Sequence, residues 1–323
     1  MQGKVLPNRG ATTEVYVGID VCKDWLDIYL HPLGHHVRVA NSKVGLSALK
    51  RQLAGVTVAL IVMEATATYH RKAHRTLHAA GFAVCVINPL RARLFAEARG
   101  TLAKTDAVDA RILAILGESL LPEPKAPAPE SLEALQELVH ARAAATAEAT
   151  ALTNRSQASH TAFLKAELKR RIKALEGHIA RLEAEIVQRI KADPALARRY
   201  AILASIPGIG PVAATTLIVD LAELGHCSRR AVALLAGLAP IACDSGETTG
   251  QRHIKGGRAI VRTALYMAAV AAARCNPDLA AFYKRLRAAG KKAKVALTAV
   301  MRKLLTLANT LIKEDRLWKP HHA

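Results

Sequence analysis

Four acidic residues carry the chemistry most legible in this chain: Asp20 in EVYVGID, Glu64 in TVALIVMEAT, and Asp106 and Asp109 in KTDAVDAR. The first two each end a β-branched apolar run that reads as a buried strand. The last two lie three residues apart at the start of a helical pattern, which puts them on one helix face. Carboxylates so placed can converge. Four together repel too strongly to persist without a cation, and hard oxygen ligands from several elements suit Mg²⁺ or Mn²⁺ better than zinc. The chemistry that most often uses such a site is phosphoryl transfer on nucleic acid. Taken singly, each acid is as readily a turn residue or a helix cap, and Asp106 after Thr105 has the pattern of a capped helix start.

The elements that must position these acids follow from the pattern of apolar residues. The run ending at Asp20 is followed by strand-like stretches over Trp25 to His31 and His36 to Ala40, separated by a Pro-Leu-Gly turn, which makes a meander. A helix (Lys43 to Leu53), the Glu64 strand, a helix (Tyr69 to Ala80), a short strand (Ala83 to Ile87) and two helices after Pro89 complete the region. Three meander strands and then alternating helices and strands, with acids ending the first and fourth strands, is the RNase H-like arrangement.

Net charge is +20 and the pI about 10.1, so attraction to polyanions is expected. The excess is greatest in residues 200–323, which hold 18 Lys/Arg against 7 Asp/Glu. No uncharged apolar stretch of membrane-spanning length occurs and no secretory pattern opens the chain, so a cytoplasmic protein is expected. Five cysteines (Cys22, Cys85, Cys227, Cys243 and Cys275) lack CxxC spacing and read as buried fillers rather than disulfides or zinc ligands.

LPEPKAPAPE, Leu121 to Glu130, has four prolines in ten residues and reads as an extended linker. Beyond it, Leu168, Ile172, Leu175, Ile179, Leu182 and Ile186 recur at alternating spacings of four and three, the seam of a coiled coil or long antiparallel hairpin. The expected division is therefore 1–121 as the acid-bearing α/β domain, 122–199 as linker and coiled-coil arm, and 200–323 as an all-α domain.

That last region holds two further motifs. The Pro-Gly-Ile-Gly core of LASIPGIGPVAATTLIVDLAEL, with Gly208 and Gly210, resembles a helix-hairpin-helix, whose tight turn brings backbone N–H groups to a phosphate without reading sequence. The same turn also serves as a plain helix connector. The loop ACDSGETTGQRHIKGG gathers Ser245, Thr248 and Thr249 with glycines and the cations Arg252, His253, Lys255 and Arg258, followed by Arg262; Arg252, Lys255, Arg258 and Arg262 are expected to bind phosphate. A hydroxyl beside glycine and among cations meets the needs of a phosphoryl-transfer nucleophile, though a polar loop can equally be only a loop.

GID with Asp20, MEAT with Glu64 and Tyr69, INP at Ile87 to Pro89, KTDAVDAR, SIPGIG, a DSG loop, KGG and RTALYMAA stand in an order and at separations that resemble the DEDD transposases of the insertion-sequence-110 type, the RNA-guided bridge recombinases. The resemblance runs from about Val15 to about Leu311. It implies a RuvC-like N-terminal domain, a coiled-coil arm and a C-terminal transposase domain. It further implies Mg²⁺ held by Asp20, Glu64, Asp106 and Asp109, with Ser245 as a nucleophile that forms a covalent phosphoserine link. The implied partners are double-stranded target and donor DNA, a structured noncoding guide RNA, and further copies of the chain in a dimer to tetramer. Ala67 stands where the family pattern has glycine, and Asp244 precedes the serine where Glu is also familiar. Two other readings stay open on the residues alone: a hydrolytic junction-resolving or structure-specific nuclease, and a non-catalytic nucleic-acid-binding protein.

Overall fold

The computed structural model describes residues 13–101, 105–246, 248 and 250–320. The chain divides into two units, Met1–Ala128 and Pro129–Ala323.

The first unit opens with β1 (Val15–Val21), β2 (Trp25–His31) and β3 (His35–Ala40). These are followed by α1 (Lys43–Leu53), β4 (Val58–Glu64), α2 (His70–Ala79), β5 (Val84–Ile87), α3 (Pro89–Ala98) and α4 (Asp106–Leu120). The strands form one sheet in the order β3-β2-β1-β4-β5. The meander is antiparallel, and β1–β4 and β4–β5 are parallel.

Side-chain alternation divides the sheet into two faces. Val15, Val17, Ile19 and Val21 join Leu26, Ile28, Leu46, Leu49 and Leu77 in a core shared with α1 and α2. On the reverse face Leu60, Val62, Cys85 and Ile87 pack on Leu113 and Leu116 of α4. Gly18 makes that second packing close, because a Cβ there would lie 2.0 Å from the Ala110 carbonyl oxygen. The middle of α4, Ile112 to Gly117, is buried throughout, as expected of a helix that is apolar nearly all round. Its start is capped by Thr105, whose hydroxyl accepts from the Val108 N–H at 3.3 Å. Asp106 therefore does not serve as the cap.

The Pro-rich segment after α4 is extended and stitched to its own unit. Lys125 N–H donates to the Val84 carbonyl at 2.9 Å, and Arg75 donates to the Ala128 carbonyl at 3.0 Å.

The second unit begins with α5 (Glu130–Ala158) and α6 (Ala162–Ala192), a long helical hairpin with a three-residue connection. Leu168 and Ile186 of the six-residue stripe are buried, and the four positions between them are half-buried. The hairpin base belongs to the same core as the helices that follow, through Leu135, Val139, Ile186 and Ile190. Those helices are α7 (Pro194–Ala204), α8 (Pro211–Asp220), α9 (Arg229–Leu235), α10 (Ala259–Cys275), α11 (Pro277–Ala288) and α12 (Ala293–Lys313).

The region expected to be all-α is mostly helical but also carries a short antiparallel ladder between α9 and α10. It pairs β6 (Pro240–Ile241) with β7 (His253–Ile254). Two residues per strand carry no readable period, so the alternation that reveals longer strands is missing. α12 is long and apolar enough by composition to cross a bilayer, but Val300, Met301, Leu304, Leu305, Ala308 and Leu311 are buried in the core.

The cysteines depart from expectation. All five are free, but only Cys85 is buried, and Cys22, Cys243 and Cys275 are exposed. An apolar neighbourhood in sequence does not say which face of an element a residue occupies.

Candidate active site

Asp20 lies one residue before the end of β1 and Glu64 ends the neighbouring parallel strand β4. Both share the alternation of residues facing α4, whose first turn carries Asp106 and Asp109. Asp20 registers the convergence. Its carboxyl is pushed up to about 6, first by burial and then by repulsion from Asp109, Asp106 and Glu64, with a Val21 backbone hydrogen bond acting in the opposite direction. The fold thus brings all four sequence-predicted acids into one electrostatic neighbourhood. Among the described residues no group of three or more acids, histidines or cysteines is drawn together as a ready-made metal cage. The donor set itself fits a hard divalent cation, because carboxylates brought this close to one another are stabilised by the charge such an ion brings.

Three residues beside the acids escape a sequence reading. Asp27, on β2 opposite Asp20, is 3% exposed. Arg38, on β3 opposite Asp27, donates through Nε to Asp27 Oδ1 and through Nη2 to Asp106 Oδ2, both at 2.9 Å. Asn41 donates through Nδ2 to the Cys22 carbonyl at 3.0 Å and the Tyr69 carbonyl at 3.1 Å. It thereby ties the exit of β1 to the turn that follows Glu64. The available signal was a charged residue in the middle of the apolar strand WLDIYLH, on the same alternation as the polar face. Ala67, in the place expected for glycine, has φ +44°, the left-handed region that glycine occupies at least cost.

In the second unit the loop bearing Ser245 leaves and re-enters through the β6–β7 ladder. Ser245 and Thr248 exchange backbone hydrogen bonds at 3.1 and 3.0 Å, which closes a turn with Ser245 exposed on it. The Asp244 carboxylate accepts from the Gly250 N–H at 3.1 Å. Thr249, like Lys104 of the KTDAVDAR motif, lies outside the described residues.

The four cations expected to meet phosphate separate into two kinds. Arg252 and Lys255 are exposed on the loop. Arg258 is engaged in a fork to Glu223 at 2.6 and 2.7 Å and donates to the Asp220 carbonyl at 3.0 Å. Arg262 donates to the Gly256 carbonyl at 2.8 Å.

The two turn glycines also separate. Gly208 has φ +105° and lies so close to α10 that a Cβ would meet the Ala272 Cβ at 2.5 Å. Gly210 precedes α8 with open space around it.

A family model described as a transposase, the DEDD type of IS110, matches residues 17–162, and one for the transposase IS116/IS110/IS902 family matches residues 200–284. The chain belongs to the IS110 family of transposases. The pilin gene-inverting protein of Moraxella bovis is 29% identical over 318 residues, covering 94% of this chain and 97% of that protein. The protein of the same name from Moraxella lacunata is also 29% identical over 318 residues. The uncharacterized 42 kDa protein of insertion element IS900 from Mycobacterium paratuberculosis is 29% identical over 129 residues, 38% of this chain and 32% of its own length. The two family matches carry Asp20, Glu64, Asp106 and Asp109 in one and Ser245 in the other. This transposase is accordingly an enzyme that acts on DNA.

Proposed function

We propose that this transposase is an RNA-guided DNA recombinase that excises and inserts its mobile element by serine-nucleophile strand exchange. Asp20, Glu64, Asp106 and Asp109 are assigned to hold a divalent cation, Mg²⁺ by the hardness of the donors. When bound, such an ion supplies charge neutralisation at phosphate oxygens. Ser245 Oγ attacks the scissile phosphorus, forming one P–O bond as the bond to the leaving strand breaks. The phosphodiester energy is kept in the phosphoserine link, and the released hydroxyl or that of a new partner strand attacks it in turn. Resealing then needs no external energy source.

The observation that carries the reading is the placement of Asp20 and Glu64 at the ends of neighbouring parallel strands, on the face packed by α4, whose first turn holds Asp106 and Asp109. The name of the Moraxella relatives, pilin gene-inverting protein, supports rejoining of strands over degradation. A net charge of +20 supports binding to nucleic acid, and the structured guide RNA is assigned from the family resemblance. Arg252 and Lys255 are assigned to phosphate, and the backbone beside Gly210 offers α8 N–H groups to another, in the manner of a helix-hairpin-helix. The α5–α6 hairpin is assigned to a coiled-coil arm that joins copies into a dimer or tetramer. The site of action is the cytoplasm.

The test is a cleavage reaction stopped with denaturant. Wild type should leave a DNA strand covalently attached at Ser245, and Ser245→Ala should lose both adduct and strand exchange while retaining nucleic-acid binding. Strand cleavage with no adduct would establish the hydrolytic nuclease instead. Omitting the noncoding RNA encoded beside the gene should abolish site-specific exchange.

A further inference from the structure

We propose that Arg38 is a positioning residue of the acidic site, holding Asp106 for cation binding while being held itself by Asp27. The inference rests on the reading of the four acids as cation ligands. Strand register places Asp20, Asp27 and Arg38 in one row across β1, β2 and β3, since Asp20 pairs with Asp27 and Asp27 with Arg38. The row points to the α4 side of the sheet, and Arg38 spans the remaining gap to Asp106.

Both oxygens of Asp27 are taken up. Oδ1 meets Arg38 Nε at 2.9 Å and His36 Nε2 at 3.2 Å, and Oδ2 meets Arg38 Nη2 at 2.9 Å. A carboxylate that is 3% exposed is tolerated only with such pairing. A pair serving stability alone would end there. Here the same Nη2 also donates to Asp106 Oδ2 at 2.9 Å, an oxygen that sits on the exposed first turn of α4, 68 residues away in sequence. Engaging Oδ2 restrains the Asp106 carboxylate and leaves Oδ1 outside this contact. Only a planar fork can meet two carboxylates in this way, and an ammonium on a flexible stem cannot.

Two effects oppose one another when Arg38 is replaced. Loss of a positive charge beside the acids favours a cation, but weakly, since the Arg38 side chain is 50% exposed and solvent screens it. Loss of the hydrogen bond that orients a ligating carboxylate typically weakens metal binding about 10- to 100-fold. Orientation therefore decides the sign.

The probe is Mn²⁺ alone, titrated into the purified full chain without nucleic acid and read by electron paramagnetic resonance. Arg38→Lys and Arg38→Gln should each weaken Mn²⁺ binding by about 10-fold or more. Asp27→Asn should do the same, with the Asp27→Asn/Arg38→Gln pair no worse than the weaker single variant. Wild-type affinity in Arg38→Lys with tighter binding in Arg38→Gln would overturn the proposal, reducing Arg38 to a plain charge. Should Asp27→Asn fail to fold, the two exposed-site Arg38 variants still decide. Asp109→Asn separates the layers: if it leaves Mn²⁺ binding unchanged, the four-acid reading itself has failed, whereas its loss of binding beside a wild-type Arg38→Lys condemns the Arg38 assignment alone.

Discussion

Gly18 and Ala110 meet where α4 crosses β1, so closely that a Cβ on Gly18 would lie 2.0 Å from the Ala110 carbonyl oxygen and 2.4 Å from the Ala114 nitrogen. Both neighbours are helix backbone and cannot swing aside as a side chain would. The contact sets the depth of α4 against the sheet, and Asp109 is the residue preceding Ala110. Gly18→Ala should force the helix outward, destabilising the protein by about 2–3 kcal/mol in urea unfolding and reducing strand exchange more than it reduces DNA binding. A loss below about 0.5 kcal/mol would mean that α4 yields freely.

Ala67 offers the opposite case. Its φ of +44° places a methyl-bearing residue in the left-handed region directly after the Glu64 strand. That conformation costs a residue with a Cβ about 1–2 kcal/mol, partly offset by the greater unfolded-state entropy of glycine. Ala67→Gly should therefore stabilise the fold by about 0.5–1 kcal/mol, read as a raised urea midpoint at unchanged slope.

Asp20 makes the fold sensitive to pH. Its ordinary carboxyl value of about 3.9 in the unfolded chain rises to about 6 in the folded one, so the folded state holds the proton more tightly. Stability from this group is present at acid pH and is lost as pH rises through about 6, the reverse of a salt-bridged carboxylate. With chelator present, Asp20→Asn should gain on wild type by about 1–2 kcal/mol between pH 4 and pH 7, after discounting for solvent screening of a partly exposed group. Divalent cation should cancel the gain, because only wild type retains the ligand. A pH-independent difference between the two proteins would show that the proton affinity of Asp20 is not raised by the fold.

Much of this was legible in the residues. β2 spans Trp25–His31 and α1 spans Lys43–Leu53, the bounds expected from apolar period, because period-two and helical patterns end at recognisable turns. The acids at the ends of β1 and β4 were legible for the same reason, since strand ends reveal where their terminal side chains emerge. Asp27 and Arg38 were not, because their meaning lies in cross-strand register, and local spacing does not carry that register. The Arg258 contact is hidden for the same reason: it lies near Ser245 in sequence, while its partner Glu223 lies 35 residues back.

The contrast among the loop cations gives the last expectation. Arg258 is held by two short contacts to Glu223 and by the Asp220 carbonyl, and its proton is held more tightly than usual chiefly through the Glu223 hydrogen bond. Its removal takes the fork from Glu223 and a donor from the Asp220 carbonyl, so Arg258→Ala should cost about 1–3 kcal/mol of stability. Arg252 and Lys255 are exposed, and replacing either by Ala should leave stability within about 0.5 kcal/mol. Their effect should appear in DNA binding instead: each neutralised phosphate contact lowers the log–log salt slope by about 0.9. Measured on the folded protein at several salt concentrations, Arg252→Ala/Lys255→Ala should lower the slope by nearly two units. Arg258→Ala, where it remains folded, should change it little. A slope that falls for Arg258→Ala and not for the pair would move the phosphate from the Ser245 loop to the start of α10.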